Sequence, residues 1–309
     1  MKKVNLNALS GDVTLFRHGD YVFIKGKKMK VVNTRGELLF TGEGVHFPHS
    51  MLFLRPDLLF LEAGGLYYQI ELPSGKVLWK QECPKGYNMW GELRLSPDGR
   101  CVYQKSDSVR SFDVRLTVTD LEKGTVTQTA LVERRLRCVH DFCFDENGDL
   151  CFLQSEVDGK TLWTGISYEG GWKIEPWSAE NTSHARCFWG DSDTILMSNY
   201  QLYHIHDRSF TNLAANTQGY ICPYREFSSI YRPDDTGRYL MDHRLNGTIV
   251  FDMLDHKIAA QYAEPGFGGI IIDDEYWCVP EKPRGGLIRK PFPLFEELPP
   301  EKLTTMGIW

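Results

Sequence analysis

Nowhere in this 309-residue sequence does an apolar run approach the ~20 residues that a membrane-spanning helix requires. Runs such as "MLFL" at 51 and "LLFL" at 58 break off after four residues. An export signal is not expected either. Met1, Lys2 and Lys3 supply a positive start, but Asn5, Asn7, Ser10, Gly11 and Asp12 interrupt any apolar stretch behind them. Basic excess is missing too. A formal net charge of -6 gives no positive field for a phosphate backbone, which argues against nucleic-acid binding. No CxxC pair occurs among the eight cysteines (Cys83, Cys101, Cys138, Cys143, Cys151, Cys187, Cys222 and Cys278). Several lie inside apolar strand-like runs, so buried thiols are expected rather than disulfides or a zinc site. A nucleophile elbow, a P-loop and a dinucleotide fingerprint are also absent, which removes the easily read enzyme classes. Together these absences point to a cytoplasmic chain without membrane or nucleic-acid partners.

What is present is a repeat. Ser96-Pro97-Asp98-Gly99 suits a type I turn, because proline presets φ at the second position and glycine supplies the permissive geometry after it. It joins "ELRL" (92 to 95) to "RCVYQ" (100 to 104) as a hairpin. "RLTVTD" (115 to 120) then alternates with period two, "LEKG" turns, and "TVTQTA" (125 to 130) alternates again. One unit is therefore four short antiparallel strands. First-hairpin turns of this kind recur near 19, 57, 98, 148, 192, 236 and 274, with separations of 38, 41, 50, 44, 44 and 38 residues. A second series, the turn before the last strand, keeps step at 33, 72 and 121, with weaker forms at 206 and 255.

Two markers in phase, at a period of ~40 to 45 residues with four strands each, are the signature of β-propeller blades. The fold class read from the sequence is all-β: a propeller of about seven four-stranded blades over residues 1–289, six or eight remaining open. No linker or charge block divides it. The N-terminal strand is expected to complete the last blade and so remove an open edge. The proline-bearing tail, residues 290–309, is expected to run extended across one face. The segment "YQIELPSGKVLWKQE" (68 to 82) resembles the repeat of quinoprotein-like propellers, in which a Gly-Lys turn leads into a strand ending in Trp. "LRLSPDGRCVY" (93 to 103) is similar to hairpins of WD40-like and YVTN-type propellers. The resemblance implies the propeller fold and no cofactor.

In propellers the loops that lead from the outer strand of one blade to the inner strand of the next gather around the channel mouth, where sites usually lie. Those segments hold His46 and His49, Trp90 and Glu92, Arg137, His140 and Asp141, His184 and Arg186, Arg225 and Glu226, and Phe267. Three readings stay open. His49, His140 and His184 could ligate a divalent metal, with Asp141 or Glu226 as oxygen ligand or general base. Arg137, Arg186 and Arg225 could clamp an anionic ligand or acidic peptide through guanidinium forks. Mutually paired polar groups could simply line a wet opening. Elsewhere, His204 and His206 fall on one face of a strand, where a solvated strand end suffices, and "RPDDTGR" (232 to 238) offers too few oxygens for a calcium loop.

The reading that ranks first is a monomeric scaffold that binds a protein or peptide by its loop face, using Trp90, Phe267 and Tyr224 with the arginines. The alternative is a small-molecule hydrolase or lyase with a His/Arg-lined site.

Overall fold

The architecture is an all-β propeller of antiparallel sheets that follow one another in chain order. This computed structural model describes residues 4–5, 9, 13–42, 44–45, 48–89, 91–108, 114–130, 138–155, 163–168, 172–176, 185–217, 224–263, 266–280 and 286–300.

Blade one is β1 (Thr14–His18), β2 (Tyr21–Lys25), β3 (Lys30–Asn33) and β4 (Leu38–Thr41). Blade two is β5 (Pro48–Arg55), β6 (Leu58–Ala63), β7 (Leu66–Glu71) and β8 (Val77–Glu82). Blade three comprises β9 (Tyr87–Asn88), β10 (Leu93–Leu95), β11 (Cys101–Ser108), β12 (Val114–Asp120) and β13 (Thr125–Ala130), with β9 pairing on the end of β11. Blade four is β14 (Cys138–Phe144), β15 (Leu150–Ser155), β16 (Trp163–Tyr168) and β17 (Trp172–Pro176). Blade five is β18 (Ala185–Phe188), β19 (Thr194–Met197), β20 (Gln201–His204) and β21 (Ser209–Asn212). Blade six is β22 (Ser229–Tyr231), β23 (Tyr239–Arg244), β24 (Gly247–Asp252) and β25 (Lys257–Tyr262). A three-stranded seventh sheet, β26 (Gly266–Ile272), β27 (Glu275–Pro280) and β28 (Ile288–Pro291), completes the described series.

These sheets fall into two compact units. Blades two to five occupy Gly42–Thr211; Met1–Thr41 with Asn212–Trp309 carry blades one, six and seven.

The turns explain the repeat. In the Ser96–Gly99 turn, Gly99 N donates to Ser96 O at 2.8 Å, and Gly99 holds φ +71°. Asp98 Oδ1 accepts from Ser96 Oγ and Arg100 N, locking the turn with its own side chains. The second series ends each turn in a left-handed residue: Gly75, Gly124, and then Arg208 and His256 where glycine is missing. Those last two were the weaker forms in the sequence, yet the backbone makes the same turn.

A four-stranded sheet this short cannot bury both faces alone, so each apolar cluster is shared by successive blades. Phe60 and Tyr67 of blade two meet Leu93 and Val102 of blade three. Val114 and Leu116 meet Phe142 and Phe152 of blade four. Cys143 and Leu153 meet Phe188 and Ile195 of blade five. In the other unit, Met241 and Val250 of blade six meet Tyr276 and Cys278 of blade seven. Blade seven in turn packs Ile270 and Trp277 on Leu15 and Val22 of blade one. The last sheet of the chain is thereby joined to the first.

Val4 packs against that same seam, and its N–H donates to Gly36 O at 3.2 Å. After β28, the chain adds to the edge of β25: Gln261 N donates to Leu294 O at 2.8 Å, and Glu296 N to Gln261 O at 3.0 Å. Cys83, Cys101, Cys143, Cys151, Cys187 and Cys278 are free thiols, and Cys83, Cys143 and Cys278 are buried. Among the described residues no helix is long and apolar enough to cross a membrane.

Candidate functional site

The chemistry concentrates at one end of blade two. Strand β6 ends at Ala63, and Gly64 and Gly65, both at positive φ (+59° and +77°), turn the chain into β7. Two consecutive left-handed residues make the tight hairpin whose twist matches its strands, which is why the sequence reads "AGGL" there. The turn also builds a platform. Gly65 O accepts from Cys83 N at 2.9 Å, which carries the β7–β8 ladder one residue further, beside the hairpin. Gln104 of blade three fixes the far side: its Nε2 donates to Gly91 O at 3.0 Å, and its Oε1 accepts from the buried Tyr67 hydroxyl at 2.8 Å.

The result is a cleft of about 620 Å³ lined by His49, Glu62, Leu66, Cys83, Lys85 and Tyr87, among others. Glu62 forms its floor and is 2% exposed. One carboxyl oxygen, Oε1, accepts from Gly65 N at 3.2 Å. The other, Oε2, is buried and finds no hydrogen-bond partner among the described residues. Burial raises the Glu62 carboxyl from its ordinary 4.5 to about 7, against the pull of the Gly65 N–H. The neighbouring Cys83 thiol is pushed up to about 12, by burial first and then by the Glu62 charge. It stays a neutral thiol and is no nucleophile at physiological pH. Lys85 pairs with the solvated Glu82 at 3.7 Å.

A larger cleft of about 940 Å³ lies in the other unit, lined by Arg238, Tyr239, Lys257, Phe292 and Phe295. Its charges already neutralise one another: Arg238 pairs with Asp252 at 3.1 Å and Lys257 with Asp255 at 2.6 Å. Volume favours this cleft, but an unanswered buried polar group favours the one in blade two.

The residues singled out from the sequence distribute as follows. His49 is exposed on β5 and lines the Glu62 cleft. Asp141 is buried on β14, where Oδ1 accepts from Phe142 N at 2.8 Å and Oδ2 accepts from Phe188 N at 2.9 Å and Arg94 Nη2 at 3.0 Å. It thus ties the inner strands of blades three, four and five together. Burial raises its carboxyl, while Arg94 opposes the rise. Glu92 stands 3.5 Å from the same Arg94, so the structure brings Glu92 and Asp141 together on one guanidinium. Arg186 is exposed on β18. Arg225 and Glu226 are exposed before β22, in the other unit; the Glu226 carbonyl accepts from Arg244, whose guanidinium lies 3.8 Å from the Tyr224 ring centre. His140 lies on β14 and Phe267 on β26. His46, Trp90, Arg137 and His184 lie outside the described residues. His204 bonds Thr211 within blade five at 3.0 Å. Among the described residues no group of three or more His, Cys, Asp or Glu side chains is set to hold a metal.

Sequence reasoning missed Glu62, Lys85 and Tyr87. The signal was there: Glu62 is the one acid in the run "LLFLEA", followed directly by a double glycine.

No protein-family model matches the chain, and no curated protein matches it. Similar solved structures include hydrazine synthase of Kuenenia stuttgartiensis, at 12% identity over 94% of this chain and 97% of that one, with a TM-score of 0.41. The Dos1 propeller is similar at 11% identity over 94% and 80%, with a TM-score of 0.49. The dihydro-heme d1 dehydrogenase NirN, in complex with DHE, is similar at 13% identity over 90% and 59%, with a TM-score of 0.48. These similarities concern the backbone, and no substrate, cofactor or partner of those proteins carries over to this chain.

Proposed function

We propose that this propeller is a cytoplasmic binding module that receives a segment of a protein or peptide partner in the blade-two cleft. The observation that carries the reading is Glu62: a buried carboxyl with one oxygen unanswered, on the floor of an accessible cleft. Buried polar groups are normally satisfied, and one that is not marks a place where an incoming ligand completes the set. The surroundings suit a peptide. Leu66, Tyr87 and Met89 offer apolar surface, while His49, Glu82 and Lys85 form a polar rim. The Tyr87 ring is itself held by the Arg115 guanidinium at 5.3 Å, so the aromatic is presented in a fixed pose.

A photo-crosslinking amino acid in place of Lys85 tests this. It is expected to capture one defined partner segment from the native lysate, while the same group in place of Arg100, on the turn between β10 and β11, captures none.

A second reading, a small-molecule hydrolase or lyase, draws on the same carboxyl. A group that titrates near neutrality within a cleft meets the first requirement of a general acid or base. Substrate screening with wild type and Glu62→Gln separates the two. Turnover lost in the variant supports catalysis; capture without turnover supports binding alone.

A further inference from the structure

We propose that the Glu62 floor is a subsite for a basic side chain, in which Glu62 Oε2 takes the ammonium of a lysine or the guanidinium of an arginine presented by the partner. The inference rests on the reading of the blade-two cleft as a partner-binding site and names the chemistry of its contact.

The argument starts from what Oε2 lacks. Its sister oxygen is engaged by Gly65 N, and the residue is almost wholly buried. For the carboxylate form, an incoming group must therefore bring both N–H donors and a compensating charge. A neutral donor supplies the first and not the second. Leu66, Tyr87 and Met89 line the cleft with the apolar surface that the methylene stem of a long cationic side chain covers. Cys83 beside the floor stays neutral and offers no rival charge. The other charged or titratable groups of the cleft are His49, Glu82, Lys85 and Tyr87. Of these, Glu82 adds a second negative charge at the rim, and Lys85 is solvated, its side chain 91% exposed.

Glu62 is also held back from ionising, so binding the cation and releasing the proton are one linked event. Affinity for a cation therefore rises as the carboxyl ionises, by about tenfold between pH 6 and pH 8 for a midpoint near 7.

The test titrates the full-length chain with n-butylammonium and n-butylguanidinium as side-chain mimics and n-butanol as the neutral control. Carboxyl 13C shifts of Glu62 and the methyl signal of Met89 are followed by NMR. The expected result is saturable binding of either cation, at least tenfold tighter than n-butanol and tighter at pH 8 than at pH 6, with both signals moving together. Preference between the two cations tells lysine from arginine. Glu62→Gln, which keeps an acceptor for Gly65 N, is expected to lose at least tenfold in affinity along with the pH dependence. Arg100→Gln, on the turn between β10 and β11 and outside the cleft, retains both. Equal binding of n-butanol, unchanged binding by Glu62→Gln, or saturation without movement of the Glu62 signal would overturn the subsite. If crosslinking captures a partner that Glu62→Gln binds as well as wild type, the subsite falls and the partner-binding reading stands. If the cations bind as expected but no partner is captured, the reverse holds.

Discussion

Glu62 occurs in a strand otherwise built of leucine, phenylalanine and alanine, and its environment sets a stability signature of its own. A carboxyl that the fold raises from 4.5 to about 7 binds its proton more tightly when folded than when unfolded. Between those two values the folded state holds the extra proton, so stability falls as pH rises through that window and is flat above it. The whole change is roughly 3 to 4 kcal/mol at about 1.4 kcal/mol per pH unit. Glu62→Gln is expected to flatten the profile between pH 4.5 and 7, as read by urea denaturation across pH. Asp141 acts as a bolt between blades. Removing it strands Arg94 and the Phe188 N–H, so Asp141→Ala is expected to cost roughly 2 to 4 kcal/mol in the same assay, while the Glu62 window survives unchanged. The sequence marked Asp141 as a site candidate because it borders an inner strand. Its donors come from three different strands, however, and that convergence has no trace in linear spacing. The candidates read from the sequence lie in or beside the segments between blades, whereas Glu62 sits beside a turn within one.

At the scale of the element, turns carry most of what the sequence encodes. All seven first-hairpin anchors fall at the turn between the first two strands of a blade, from Gly19 through the Asp273–Asp274 turn. They were legible because left-handed or proline-preset turns restrict residue choice, while strands in a shared core accept many apolar residues. The second series faded at Arg208 and His256 for the same reason: both hold positive φ (52° and 47°) without being glycine. Arg208→Gly and His256→Gly are each expected to stabilise the protein by about 0.5 to 1 kcal/mol, measured as a rise in denaturation midpoint. The converse case is Gly268 on β26. It sits at φ +60°, and a methyl group there would come within 2.6 Å of Thr14 Cβ on β1. Gly268→Ala is expected to cost roughly 2 kcal/mol or more by wedging the seam between blade seven and blade one. A substitution that left stability unchanged would show that this seam is loose.

For the molecule as a whole, function follows from how the repeat is decorated. Within each unit adjoining blades share their cores, and individuality sits in the turns and linkers at their ends. Blade two combines a double-glycine hairpin, an acid inside an apolar strand, and a β7–β8 ladder carried to Cys83 by its hydrogen bond to Gly65. The fold class could be read from periodic turns alone. The site could not, because it depends on which side chain a folded linker leaves without a partner.

The most direct measurement is therefore crosslinking from the blade-two cleft, comparing probes in place of Lys85 and His49 with probes in place of Arg100 and Lys257. The account predicts one partner segment, carrying a lysine or arginine, captured from the first two positions and from neither of the others. Capture from all four positions alike, or from the controls alone, would contradict it.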